Sequence, residues 1–206
     1  MGLLVNGEWK NQWYDTSKTG GKFIRTKSQF ENQIIDEQNA EFKPESNRYH
    51  LYISYACPWA HRTLIFRKIK KLEDHISISV VHPLMLQLGW TFQEGEGVIQ
   101  DNILGSKYLH QVYTAAQKDY TGRVTVPVLW DKKKNTIVNN ESSQIIRMFN
   151  SAFDDVGALA GDFSPASLLP EIDDINAFVY TTINNGVYKA GFSTTQEAYE
   201  EAVTEL

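Results

Sequence analysis

The chain is predicted to fold as an α/β protein in which a unit of order βαβαββα is followed by helices. The run RYHLYIS at 48–54 alternates apolar side chains with period two and leads straight into a helical pattern opened by Pro58. A second β-rich run, ISISVV at 76–81, is separated from the first by that one helix, which favours parallel pairing through a βαβ unit. Further on, TVPVLWD at 125–131 and TIVN at 136–139 flank the turn-forming DKKKN, and together they read as a hairpin.

Taken in order, residues 1–45 are polar and rich in Gly, Asn, Gln and Lys, and their aromatics Trp9, Trp13, Tyr14, Phe23 and Phe30 follow neither a helical nor a strand period. They are expected to form an extended arm over a folded body. In the first strand Tyr49, Leu51 and Ile53 share a face. Pro58 suits a first helical position, where its missing N–H costs nothing, and this makes Cys57 the expected N-cap. Ala60, Leu64, Ile65, Ile69 and Leu72 then mark an apolar face, while Arg67, Lys68, Lys70 and Lys71 gather where the helix dipole favours cations. Residues 83–101 are irregular, Leu104–Ala116 reads as a second helix, and Glu141–Phe153 reads as a third with Ile145, Ile146 and Phe149 on one side. The expected organisation is an arm at 1–45, an α/β domain at 46–155 and the start of a helical domain at 156–206.

Composition narrows the function. The 206 residues are 42% hydrophobic, 12% aromatic and 22% charged, enough to build a sizeable core. A net charge of −5 gives no general attraction to nucleic acid or anionic membranes. No run approaches the roughly 20 apolar residues needed to span a bilayer, and MGLLVNGEWKNQWYDT lacks the pattern of a signal peptide, so a cytoplasmic protein is expected. His50, His75, His82 and His110 have no metal-ligand spacing, and the glycines near Gly95 and Gly97 form no phosphate loop. The lysines of DKKKN read as a solvated turn.

The single cysteine, Cys57, cannot form an internal disulfide. At a helix N-terminus its thiolate faces unpaired N–H groups and the positive end of the dipole, with His61 and Arg62 adding charge nearby, so its pKa is expected to fall. CPWA has alanine where a dithiol oxidoreductase carries its second cysteine, so a mixed disulfide on Cys57 must be resolved by an external thiol. Pro127 inside a strand pattern removes a ladder donor. A cis Val126–Pro127 bond resolves the conflict and leaves the Val126 backbone available to an extended, peptide-like ligand. Glu141 and Ser142 open a helix directly after a strand, a position that suits either binding of a ligand carboxylate and ammonium or simple capping with Asn139 or Asn140.

A βαβ unit with cysteine at the first helix N-terminus and X-Pro on a hairpin resembles the thioredoxin-like N-terminal domain of a glutathione transferase. Within that group YACPWAHR at 55–62, GWTF at 89–92, TVPVLWD at 125–131, NNESSQIIRMFN at 139–150 and YTTINNGVYKAGFSTTQEAYEEAV at 180–203 resemble the glutathionyl-hydroquinone reductases, the Xi-class, omega-like transferases. The resemblance covers nearly the whole chain. It implies glutathione as co-substrate, with no permanently bound cofactor or metal, and reduction of S-glutathionyl-hydroquinones in the cytoplasm by a homodimer that binds neither nucleic acid nor membrane. It also implies Cys57 as nucleophile, Tyr188 as proton donor, and Trp90, Arg123, Val124, Thr125, Val126, Glu141 and Ser142 as the glutathione site, with Glu141 and Ser142 on the γ-glutamyl end. The family continues through a longer all-α domain, so that domain is expected to be incomplete here. General removal of glutathione from protein mixed disulfides and a non-catalytic glutathione-binding module are the alternatives.

Overall fold

The computed structural model describes residues 2–206. They form two compact units: residues up to Gln12 with Ser28–Asp162, and Trp13–Lys27 with Phe163–Leu206. The three-part division expected from the sequence is revised by this. The first 45 residues are shared between the units, and the first unit runs to 162 because Lys70 holds its last segment. Lys70 is buried; its ammonium donates to Asp154 at 2.9 Å and to the Gly161 carbonyl at 2.8 Å, while its own carbonyl accepts from Leu159 at 2.8 Å. It therefore does not join Lys68 and Lys71, which are exposed at the end of the first helix.

The first unit is built on a four-stranded sheet of order β4-β3-β6-β7, from strands Tyr49–Ile53 (β3), Ile76–Val80 (β4), Val128–Asp131 (β6) and Thr136–Asn139 (β7). β3 pairs parallel with β4 across helix Pro58–Ile69 (α1), as a βαβ unit requires, and antiparallel with β6, placing Tyr52 opposite Val128. β6 starts at Val128 rather than Thr125 because Pro127 has no N–H to give the ladder. Every residue of β3 is buried, so its polar members must find partners inside. The Tyr52 hydroxyl donates to Asp101 at 2.9 Å, and the same carboxylate accepts the Ile103, Leu104 and Ser106 amides at 3.0, 3.2 and 3.0 Å. Those amides are committed to Asp101, and Gln111 Oε1 takes the N–H groups of Lys107 and Tyr108, so the second helix is Leu109–Ala116 (α2) and not Leu104–Ala116. The third helix is Ser142–Ser151 (α3), ending short of the expected Phe153, which is fully buried before a 3₁₀ turn at Asp154–Val156. On α1 the buried residues are Ala60 and Thr63, with Ile65 exposed.

Two strands in the expected arm were not anticipated. Leu3–Val5 (β1) and Glu8–Lys10 (β2) form a hairpin, and β1 also pairs with Gly122–Arg123 (β5). The turn is Asn6-Gly7 with φ of 50° and 79°, the pair that two-residue hairpins favour because both positions are left-handed.

His50, also on β3, meets Ser77 Oγ at 2.7 Å through Nδ1 and Ser79 Oγ at 3.0 Å through Nε2. Burial pushes its imidazole down to about 4, while the Asp101 carboxylate pulls it upward and Lys132 and Arg67 push it further down. The unfolded chain, with His50 near about 6.5, takes up a proton that the fold refuses, so this contribution is intact above about pH 6.5 and is lost as pH falls toward about 4. At most about 3 kcal/mol is involved. Urea unfolding at about pH 7 and about pH 4.5 checks it: the stability lost on acidification should be smaller in His50→Gln than in the parent chain.

In the second unit, helix Leu169–Val179 (α4) passes through a π-helical turn at Tyr180–Asn184 into helices Gly186–Phe192 (α5) and Gln196–Glu205 (α6). Trp13, Tyr14 and Phe23 pack their rings on Phe192 at 5.0, 6.2 and 5.3 Å, and Lys22 pairs with Glu201 at 2.6 Å. Ile175, Phe178, Ile183 and Val187 are exposed. No helix among the described residues is long and apolar enough to cross a membrane.

Candidate active site

Sheet topology gathers the site. Cys57 follows the C-terminal end of β3, Val126 precedes antiparallel β6, and Glu141 follows β7, which runs antiparallel to β6, so all three fall at one end of the sheet. Cys57 is the N-cap of α1, with extended backbone at φ −105° and ψ 113°, and its carbonyl accepts from His61 at 3.0 Å. Its side chain makes no capping bond; the half-buried thiol instead donates to the Val126 carbonyl at 3.5 Å. Val126–Pro127 is a cis peptide. Val126 is buried, and among the described residues its N–H has no acceptor, so one edge of this backbone is unpaired.

The segment leading to Val126 is fixed from within. The buried Tyr113 hydroxyl, on α2, donates to the Thr125 carbonyl at 2.9 Å and accepts from the Thr125 amide at 3.2 Å and from Asn140 Nδ2 at 3.1 Å. Burial pushes this phenol up, and the bonds from Thr125 and Asn140 only partly oppose it, so it stays protonated. One hydroxyl thereby joins the residue before Val126 to the residue before Glu141. The sequence reading missed Tyr113, whose only signal was a polar group on an otherwise apolar helix face.

Glu141 is the N-cap of α3. Its Oε1 accepts from the Ser143 amide at 3.1 Å and hydroxyl at 3.0 Å, its Oε2 accepts from Ser28 Oγ at 3.3 Å, and its own amide donates to Asn139 Oδ1 at 2.7 Å. Capping is thus present. Arg62 on α1 reaches the same point: Nε and Nη2 donate to Ser142 Oγ at 3.0 and 2.7 Å, Nη2 lies 3.7 Å from Glu141 Oε1, and the guanidinium sits 5.4 Å over the Trp59 ring.

Arg123, on β5, donates to the Gln12 carbonyl at 2.8 Å and the Gly2 carbonyl at 3.2 Å, fastening the first hairpin. Val124 is buried, and Trp90 is buried in the core with its carbonyl accepting from Leu109 at 2.9 Å. Tyr188 is on α5 in the second unit, half-buried, with the Arg25 guanidinium 4.4 Å over its ring and Phe23 and Phe192 at 6.3 and 5.7 Å. Arg25 Nε also donates to Asn185 at 2.6 Å.

Residues 56–152, the stretch holding Cys57, Val126, Glu141 and Ser142, match the N-terminal domain of glutathione S-transferase. The chain is 59% identical over 202 residues to the glutathionyl-hydroquinone reductase PcpF of Sphingobium chlorophenolicum, covering 98% of this chain and 63% of that protein. Residues 56–152 form a glutathione S-transferase N-terminal domain. The chain is also 55% identical over 213 residues to the glutathionyl-hydroquinone reductase YqjG of Escherichia coli K12, covering all of this chain and 65% of that protein. A Xi-class transferase from Natrialba magadii superposes with a TM-score of 0.90 at 47% identity over 100% of this chain and 62% of its own. The glutathione-bound structure of E. coli YqjG does so with 0.86 at 50% identity, over 99% of this chain and 63% of that one. The chain spans 63% and 65% of the lengths of these two reductases, PcpF and YqjG.

Proposed function

We propose that this chain reduces S-glutathionyl-hydroquinones to hydroquinones with glutathione, through a mixed disulfide on Cys57. The observation that carries the reading is the Cys57 thiol at the N-terminus of α1, 3.5 Å from the carbonyl of Val126, a residue whose own N–H has no acceptor among the described residues. A peptide-like thiol compound laid along Val126 brings its sulfur to Cys57 in the manner of strand addition. The thiolate attacks the glutathionyl sulfur, the S–C(aryl) bond breaks, and the aromatic carbon takes a proton; hydroquinone leaves and Cys57 is left joined to glutathione. A second glutathione attacks that disulfide, leaves as oxidised glutathione and restores the thiolate. Tyr188 is assigned as proton donor on the strength of the family motif. Trp90, Arg123, Val124, Thr125, Val126, Glu141 and Ser142 are assigned to glutathione on the same basis, Glu141 and Ser142 with the added support of their place at the start of α3. The exposed side chains of Ile175, Phe178, Ile183 and Val187 support a homodimer, and a cytoplasmic location goes with a glutathione-dependent reaction.

The test is turnover of a glutathionyl-hydroquinone with glutathione, following hydroquinone and oxidised glutathione together. Equal release of both is expected, and Tyr188→Phe should slow turnover by about 10²- to 10⁴-fold, the usual worth of a general acid. Hydroquinone release without oxidised glutathione would rule the scheme out. Full turnover in Tyr188→Phe, with activity on protein–glutathione disulfides, would favour general deglutathionylation.

A further inference from the structure

Ser142 is buried, and its hydroxyl oxygen accepts from both Arg62 Nε at 3.0 Å and Arg62 Nη2 at 2.7 Å. A hydroxyl oxygen has two acceptor positions and one O–H. Both acceptor positions are taken by the fork of a permanently charged guanidinium, so only the O–H is left to offer, and among the described residues it has no acceptor. Held this way, Ser142 meets a ligand as a donor. The same guanidinium lies 3.7 Å from Glu141, whose carboxylate is only partly occupied by Ser143 and Ser28.

We infer that Arg62 is a specificity-determining positioning residue: by fixing Ser142 as a hydrogen-bond donor beside the acidic Glu141, it makes this end of the site select the amino-acid head of a ligand, carboxylate toward Ser142 and ammonium toward Glu141. The Ser142 amide at the α3 N-terminus, which has no acceptor among the described residues, adds to the carboxylate side. The inference rests on the reading that this site takes the γ-glutamyl end of glutathione. It adds the residue that enforces the orientation, which does not itself have to touch the ligand. Lysine at 62 keeps the charge but cannot form the two-pronged contact with one oxygen.

The test is calorimetric binding of reduced glutathione and of 4-aminobutanoyl-cysteinylglycine, which keeps the ammonium and thiol but lacks the γ-glutamyl carboxylate, to the 206-residue chain. The parent chain should prefer glutathione by about 10- to 100-fold, the range for a charge-assisted hydrogen bond. Arg62→Ala should lose most of that preference, Arg62→Lys should recover only part of it, and Ser142→Ala should lose it with no further effect of Arg62→Ala. Thermal unfolding confirms that each variant is folded. An Arg62→Ala chain that keeps the parent's preference overturns the role of Arg62 alone. A parent chain that binds neither compound, or binds both equally, overturns the γ-glutamyl reading as well.

Discussion

Cys57→Ser should abolish hydroquinone release, by about a thousandfold or more, while leaving the fold as stable as before or more so. The two halves of this result have different causes. Serine at this position has no sulfur with which to form a disulfide, so the first step of the scheme does not exist in the variant. The cysteine side chain makes no capping bond to α1 and spends its hydrogen on Val126. A serine is among the favoured N-caps, and its hydroxyl can accept from the first-turn amides that Cys57 leaves unmet, adding up to about 1 kcal/mol. Stopped assays on hydroquinone release and urea unfolding of the same preparation check both halves. Retained turnover, or a destabilised fold, contradicts the account of Cys57 as a nucleophile carried on a cap that it does not itself fill.

The largest expected effect on stability lies away from the chemistry. Arg48 Nε donates to both oxygens of Asp131, at 3.1 and 3.0 Å, its Nη2 donates to the same carboxylate, and both side chains are buried. Asp131 Oδ1 also accepts the Lys133 and Lys134 amides at 2.8 and 3.4 Å, closing the turn between β6 and β7. Asp131→Ala strands a buried guanidinium, which keeps Glu45 at 2.9 Å and the Glu41 carbonyl at 3.3 Å but loses its main counter-charge. Breaking a buried pair from one side typically costs about 3–5 kcal/mol, against about 0–1 for an exposed one. Equilibrium unfolding in urea should therefore show a loss near the upper range. A loss below about 1 kcal/mol would mean that the pair behaves as a surface contact.

DKKKN shows how far such features are legible. From the sequence it was a solvated lysine turn, and two of its lysines do meet exposed partners, Lys133 with Glu45 and Lys134 with Glu41. What organises it is Asp131, whose partner is 83 positions away in the chain. Alternation and capping are local, and they were enough to place β3, α1, β4, the β6–β7 hairpin and α3 to within a few residues. Where the prediction slipped, a distant group had taken the backbone: Asp101 holds the amides at 103–106 out of α2, and Lys70 ties 154–161 to the first unit. The β1–β2 hairpin is the exception: its Asn6-Gly7 signal is local but sits among residues of no clear period.

The site divides in the same way. Cys57 as N-cap and Val126 as an unpaired backbone could be argued from neighbouring residues, and the sheet brings them together because β3 ends and β6 begins at the same edge. Arg62 and Tyr113 act across 80 and 12 positions respectively, on Ser142 and Thr125, and no spacing rule announces either. Arg123 is assigned to the ligand by the family resemblance and not by spacing, and its guanidinium also holds the carbonyls of Gly2 and Gln12. Tyr188 rests on the family motif alone.

The most direct test of the central claim is intact and peptide mass analysis of the chain after exposure to a glutathionyl-hydroquinone with no added thiol. The account predicts one glutathionyl group per chain, on the peptide containing Cys57, formed together with free hydroquinone and removed when glutathione is added. Hydroquinone released while Cys57 stays unmodified would contradict it.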